Sequence, residues 1–102
     1  YPEFMAEEAA EYFDEFNMLW SDESPINVKE GRLVAIAVSA AIRCEYCIAA
    51  QIEFAKKAGA NNEEIKAAIQ IAAEIQRFST LLYGNEFDAD TFNKLIGRDN
   101  KE

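Results

Sequence analysis

Two cysteines, Cys44 and Cys47, are the residues of this chain whose type and spacing best suit chemistry. They are the only cysteines among 102 residues and stand three positions apart in the segment Cys-Glu-Tyr-Cys. At the start of a helix, side chains three positions apart lie on the same side, near enough to form a disulfide. A helix N-terminus also stabilises a thiolate and lowers the pKa of the thiol. The spacing therefore favours reversible thiol–disulfide chemistry.

Two other interpretations of the cysteine pair stay open. A structural zinc site takes four cysteine or histidine ligands, and this chain has two cysteines and no histidine, so zinc would need a site shared between subunits. The two cysteines could also pack as small apolar side chains without any reactivity. We favour the redox interpretation, and we expect neither a bound metal nor a cofactor.

The sequence around the cysteines predicts helices throughout and no strand. Glycine and proline number only four and two, and apolar residues recur at helical spacing. The expected helices cover about residues 4–19, 28–42, 44–58, 62–83 and a short last segment that ends at Gly97. Beyond Arg32 the second helix is apolar on every side, which is typical of a helix buried all round. So small a domain would need a partner chain to cover that helix.

Residues that begin and end helices stand at the expected boundaries. Asn27 is suited to the N-cap of the second helix, and Asn61 with Glu64 forms an amide variant of a capping box. Gly59 is suited to the C′ position that ends the third helix. Asp88 or Asp90 is expected to cap the last helix. Trp20, which follows the first helix, is expected to pack within the protein or at an interface.

Charge and hydropathy exclude some partners. Nineteen acidic and ten basic residues give a net charge of −9, which argues against binding to nucleic acid or to an anionic membrane surface. The longest apolar run, Leu33 to Ile42, is far shorter than the roughly 20 residues that span a bilayer. We see no secretion signal and expect a cytoplasmic protein. In that compartment a spaced cysteine pair is more often catalytic, redox-sensing or metal-binding than structural.

Residues 26–60, which include the segments CEYCIAA and FAKKAGA, resemble the central motif of the carboxymuconolactone decarboxylase superfamily in its AhpD-like (alkylhydroperoxidase D-like) branch. The resemblance implies one all-α domain over residues 1–102, a small orthogonal bundle of about five helices that assembles into trimers or hexamers. It also implies disulfide cycling in peroxide detoxification. The cysteine pair would reduce a partner peroxiredoxin, another disulfide partner or, weakly, a peroxide itself.

The sequence departs from that branch at the positions that move the thiol proton. Members carry a glutamate twelve residues before the first cysteine and a histidine four residues after the second, and the histidine helps to remove the thiol proton through water. This chain has Arg32 and Gln51 at those positions, and neither accepts a proton near neutral pH. The resemblance assigns the first attack to Cys47, whereas proximity to the helix start favours Cys44.

Two consequences of the departure stay open. In the first, Arg32 stabilises the Cys47 thiolate and replaces the relay, with Glu30 as a possible assisting acid. In the second, the activity is weakened and the protein is a redox-sensing or structural oligomeric module. The other branch of the superfamily decarboxylates a lactone without a cysteine pair, so the CEYC segment makes that activity the least favoured.

Overall fold

The computed structural model describes residues 5–98, and within that range the chain forms five α-helices and no strand. The helices are α1 (Ala6–Met18), α2 (Val28–Ala41), α3 (Glu45–Lys57), α4 (Asn62–Gly84) and α5 (Ala89–Leu95). The predicted all-α class is therefore confirmed, with helix ends within about two residues of those expected. Phe4, the predicted start of the first helix, lies outside the described residues.

The chain divides into two compact units, and the division falls inside α4. The N-terminal unit ends at Ala72, and the C-terminal unit begins at Ala73. The prediction of one functional domain over residues 1–102 stays a prediction. None of the helices in residues 5–98 combines the length and the apolarity that a membrane crossing requires.

The N-terminal unit is built on the packing of α2 against α3. Ile36 of α2 and Ala55 of α3 are completely buried, and they share one core with residues that follow α3. Those further members are Ala60, Ile65 and Ala68, with Leu33 and Ile52 packed against them. Alanine at so many core positions lets the helices approach closely, so the connecting segments around Cys44 and Ala60 can be short.

The burial expected for α2 on every side, which a partner chain would have to complete, is not reached within a single chain. Val34 and Val38 of α2, and Ile42 at its C-cap, are 52%, 53% and 66% exposed. Only the opposite side, with Ile36 and Ser39, is buried. An apolar sequence shows that a side could be covered, but it does not show whether its own chain covers it.

Helix N-termini follow the predicted capping residues. Asn27 caps α2, and Asp88 rather than Asp90 caps α5, each side chain accepting a hydrogen bond from the backbone N–H three residues on. Asn61 and Glu64 exchange side-chain-to-backbone hydrogen bonds of 2.8 and 2.9 Å at the start of α4. Each contact satisfies an N–H group that the first turn of a helix leaves without a partner.

The C-terminal unit packs much more sparsely. No residue from 73 to 98 is buried, although this segment carries several large apolar side chains. Phe87 and Phe92 meet edge to face with their ring centroids 6.2 Å apart. The helix α5 has seven residues and buries none of them.

Candidate redox site

The connection from α2 to α3 is a Schellman motif that places the first cysteine. Arg43 takes a left-handed conformation with φ of 57° and donates its N–H to the carbonyl of Ala40 at 3.2 Å. The next N–H, that of Cys44, reaches back to the carbonyl of Ser39 at 3.0 Å. These two hydrogen bonds end α2 and turn the chain directly into α3. Cys44 is thereby fixed as the N-cap residue of α3.

The two cysteines form a disulfide at the first turn of α3, with their Cα atoms 5.2 Å apart. The Cys44 sulfur also accepts a hydrogen bond from the backbone N–H of Cys47 at 3.2 Å. Both cysteines are half-buried, while Tyr46 between them is 87% exposed. Tyr46 therefore does not belong to the core of the chain. The pairing of Cys44 with Cys47 is as the spacing predicts.

Arg32 and Gln51, the residues that replace the expected glutamate and histidine, are brought together. The Arg32 Nη1 atom donates a hydrogen bond of 2.9 Å to Gln51 Oε1, and both side chains are half-buried. Gln51 follows Cys47 by four residues, so its side chain leaves α3 on the same side as the Cys47 side chain. The two substituted positions thus form one contact, one helical turn beyond the disulfide.

Two aromatic rings lie against the Arg32 guanidinium group. Its Cζ atom lies 3.7 Å from the ring centroid of Trp20 and 4.6 Å from that of Phe54, so both rings attract the cation. Gly31 permits the approach of Trp20, because a Cβ atom at residue 31 would lie 3.3 Å from Trp20 Cζ3. We call Trp20, Arg32, Gln51 and Phe54 the arginine cluster.

The arginine cluster contains hydrogen-bond donors without acceptors. Burial lowers the pKa of Arg32, although an arginine stays charged at any physiological pH. Among residues 5–98 no carboxylate lies within ion-pair distance of Arg32, whose hydrogen bond goes to the neutral Gln51. The Trp20 Nε1 atom is buried and has no hydrogen-bond partner in the same range. Two aromatic rings and one amide oxygen of the cluster therefore compensate the positive charge of Arg32.

Glu30 is not part of this arrangement. It lies exposed in the first turn of α2, where its backbone N–H bonds to Asn27. Among residues 5–98 its carboxylate forms no hydrogen bond with either cysteine.

Sequence analysis missed Phe54, and it assigned Trp20 only to packing or to an interface. Phe54 is in the last turns of α3 and meets Arg32 because α2 and α3 pair, whereas Trp20 reaches Arg32 from the segment after α1. The one local signal was Gly31, a glycine in the first turn of a helix next to an arginine. It indicates a close approach by a large side chain, but it does not identify that side chain.

Comparisons with known proteins agree with the resemblance. The carboxymuconolactone decarboxylase family matches residues 7–87, a range that includes both cysteines and the whole arginine cluster. A curated relative from Paracoccus denitrificans, "Uncharacterized protein 4 in cox locus", is 30% identical over 64 residues, or 63% of this chain. The matched segment spans only 58% of that relative's length. No solved structure matches the chain significantly.

Proposed function

Because this chain belongs to the carboxymuconolactone decarboxylase family, we propose that it is an AhpD-like thiol–disulfide redox protein that acts through Cys44 and Cys47. The observation that carries the proposal is the contact of the Cys44 sulfur with the Cys47 N–H at the first turn of α3. A sulfur that accepts a backbone N–H at a helix N-terminus is stabilised as a thiolate. The disulfide between the same two residues supplies the second half of a redox cycle.

The reaction exchanges two electrons between the cysteine pair and an oxidised substrate. The Cys44 thiolate attacks one sulfur of the substrate disulfide, a mixed disulfide forms, and the first substrate thiolate leaves and takes up a proton. The Cys47 thiol then loses its proton to water, and the resulting thiolate attacks the Cys44 sulfur and releases the second substrate thiolate, which is protonated in turn. The protein dithiol is thereby oxidised to the Cys44–Cys47 disulfide, and the substrate disulfide is reduced to two thiols.

The substrate class follows from the family resemblance. A disulfide on a peroxiredoxin would connect the pair to peroxide detoxification. With a hydroperoxide as a slower direct oxidant, attack of Cys44 on oxygen gives a sulfenic acid and an alcohol, and attack of Cys47 then releases water. A cytoplasmic setting, which keeps thiols reduced, suits both reactions.

The contacts at the site favour one order of attack by the two cysteines. The backbone N–H reaches the sulfur of Cys44, while the relay positions beside Cys47 hold Arg32 and Gln51, bonded to each other. Neither of these side chains takes up a proton. Cys44 is therefore proposed as the attacking thiolate and Cys47 as the resolving thiol, whereas the resemblance alone assigns the attack to Cys47.

Single-cysteine variants test this proposal. Alkylation of the Cys47→Ser variant by iodoacetamide, followed against pH by mass spectrometry, should titrate below the roughly 8.5 of free cysteine. The Cys44→Ser variant should react more slowly at pH 7. Only Cys47→Ser should accumulate a mixed disulfide with a disulfide substrate. The reverse pattern would return the attack to Cys47, and two thiols that titrate like free cysteine would contradict redox catalysis.

One observation favours a second candidate function, that of a redox-sensing or structural module. At the relay positions the chain places an arginine and an amide, so proton removal from the thiols lacks the family's base. A redox-sensing or structural module would form the disulfide without turnover. Steady-state reduction of an oxidised peroxiredoxin separates the two, since a sensor reacts once and a catalyst repeatedly. Lactone decarboxylation is less favoured, and it would survive replacement of both cysteines.

We also propose that the chain works as a homo-oligomer, a trimer or a hexamer. Val34 and Val38 of α2 and Ile42 at its C-cap recur every four residues, and each is more than half exposed. Contiguous apolar surface of this kind on a helix marks an interaction site. The net charge of −9 leaves nucleic acid and anionic membranes as unfavoured partners.

A further inference from the structure

The arginine cluster has more donors than acceptors. A guanidinium group carries five N–H donors and no acceptor, and Gln51 occupies one of those donors in Arg32. The indole N–H of Trp20 is a further donor, buried and unpartnered within residues 5–98. The described acidic residues supply no carboxylate to either of them. The half-buried guanidinium cation and the neighbouring indole N–H both lack an acceptor. An anion would supply that acceptor and would also compensate the positive charge.

The surroundings of Arg32 favour one kind of anion. Trp20 and Phe54 lie against the guanidinium group, with their ring centroids 3.7 and 4.6 Å from Cζ. The N–H groups of the guanidinium that remain match the two oxygens of a carboxylate. Because two rings crowd the group, a slender carboxylate on a short chain fits better than a bulky anion. Gln51 holds Arg32 one helical turn from Cys47.

We propose that Arg32 binds a carboxylate of the substrate and so makes the cysteine pair selective for low-molecular-weight disulfides that carry carboxylates. The proposal rests on the proposed thiol–disulfide function. Arg32 forms no covalent bond in the reaction. The bonds that form and break are those of the exchange described above, in which the protein dithiol is oxidised and the substrate disulfide is reduced to two carboxylate-bearing thiols.

The net charge of the chain makes this selectivity easy to recognise. A protein with a net charge of −9 repels an anionic substrate at long range. A preference for an anion must therefore come from a local contact. Exchange that is faster with an anionic disulfide than with a neutral one would consequently indicate a specific cation at the site.

The test compares three disulfides of similar size with the reduced protein: 3,3′-dithiodipropionate, which has two carboxylates, neutral 2-hydroxyethyl disulfide and cationic cystamine. We expect the unmodified chain to favour the dicarboxylate over the neutral disulfide about tenfold, as a charge-assisted contact allows. Arg32→Gln should abolish the ratio, and Arg32→Lys should keep part of it. Arg43→Gln removes the exposed cation next to Cys44 and is the matched control, which should keep the ratio.

The outcomes separate the two proposals. A ratio near one in the unmodified chain, or a ratio that falls in Arg43→Gln and persists in Arg32→Gln, would overturn the role of Arg32 while leaving exchange intact. Exchange with none of the three disulfides would contradict the proposed function itself. Circular dichroism shows whether each variant keeps its helices.

A binding measurement on the unmodified protein avoids any dependence on variants. Trp20 is the only tryptophan, and its ring lies against Arg32, so its fluorescence reports on the cluster. The oxidised protein has no free thiol among its two cysteines and cannot exchange with the probe. Titration with 3,3′-dithiodipropionate should then change Trp20 emission saturably, and 2-hydroxyethyl disulfide should not. Identical responses to both probes would refute carboxylate binding at Arg32.

Discussion

The N-terminal unit encloses a core of its own, whereas the C-terminal unit, residues 73–98, encloses none. Ile36 and Ala55 are completely buried in the first unit. The same two helices, α2 and α3, carry Cys47, Arg32, Gln51 and Phe54, and Cys44 is the N-cap of α3. In the second unit Ile75 is 65% exposed and Leu95 72% exposed, although both are large apolar side chains. Similar apolar residues therefore have opposite environments in the two units.

This difference shows where the chain can hold reactive groups in a fixed geometry. A disulfide pair and an enclosed guanidinium group need neighbours that do not move, and tightly packed alanine and isoleucine side chains provide them. The C-terminal unit has no such support within itself. Its apolar side chains are better suited to association with another copy of the chain, in agreement with the proposed oligomer.

The largest expected effect separates the core of the N-terminal unit from the exposed apolar side chains of the C-terminal unit. Ile36→Ala removes a completely buried side chain and should lower the free energy of unfolding by about 3 kcal/mol. Ile75→Ala, at an exposed position on α4, should change it by less than about 0.5 kcal/mol when the protein is dilute enough to be monomeric. Urea unfolding of both variants measures the difference. Equal losses in dilute solution would show that Ile75 is also part of a core.

The next effect concerns assembly. Ile75→Asp places a charge on the exposed side of α4 and should shift the protein toward the monomer, because a carboxylate is costly to bury in an apolar interface. Sedimentation equilibrium of the variant and the unmodified chain gives the masses. Glu74→Gln, at the neighbouring exposed position, is the control and should leave the mass unchanged. An unchanged mass in Ile75→Asp would exclude this side of α4 from the interface.

Each unit also has one non-glycine residue in the left-handed region, Arg43 with φ of 57° and Glu86 with φ of 52°. Replacing Arg43 by glycine relieves a steric cost, and it should raise the free energy of unfolding by about 1 kcal/mol. Glu86→Gly relieves the same cost in a unit without a core, so it should slow local hydrogen exchange near Phe87 with little effect on global unfolding. Urea unfolding with amide exchange tests both. A global gain from Glu86→Gly would contradict the distinction between the units.

Local signals in the sequence predicted the features that depend on a few neighbouring residues. The caps at Asn27 and Asn61 and the cysteine pair at the start of α3 each depend on groups about three positions apart. Helical geometry alone brings such groups together, so the pattern is sufficient. Gly59, with φ of 99°, ends α3 for the same local reason.

The arginine cluster could not be predicted because it depends on contacts between distant segments. Arg32 and Gln51 are nineteen positions apart, and their hydrogen bond requires a particular register between α2 and α3. Trp20 reaches the same group from the segment after α1. For a related reason the sequence could not show which side of α2 its own chain leaves exposed, since Val34 and Val38 have the same sequence character whether the chain or a partner covers them.

The smallest expected effect is a pH dependence of stability, which should differ between the two units. Hydrogen bonds from Lys29 and from the backbone of Asn61 hold the pKa of Glu64 below its ordinary value, and Thr91 does the same for Asp88. A carboxyl with a lowered pKa in the folded state adds stability that is present above its unfolded pKa of about 4 and is lost as the pH falls through the folded value.

Glu64→Gln should therefore reduce the loss in the free energy of unfolding as the pH falls from about 5 to about 3. The effect should be global, because Glu64 belongs to the cap at the start of α4 and α4 buries Ile65 in the core. Asp88→Asn should alter only local exchange in α5, which buries no residue. Urea unfolding at the two pH values, with amide exchange at Phe92, distinguishes these responses. If Asp88→Asn also changed the global acid transition, α5 would have to unfold together with the N-terminal core, and the two units would form one cooperative structure.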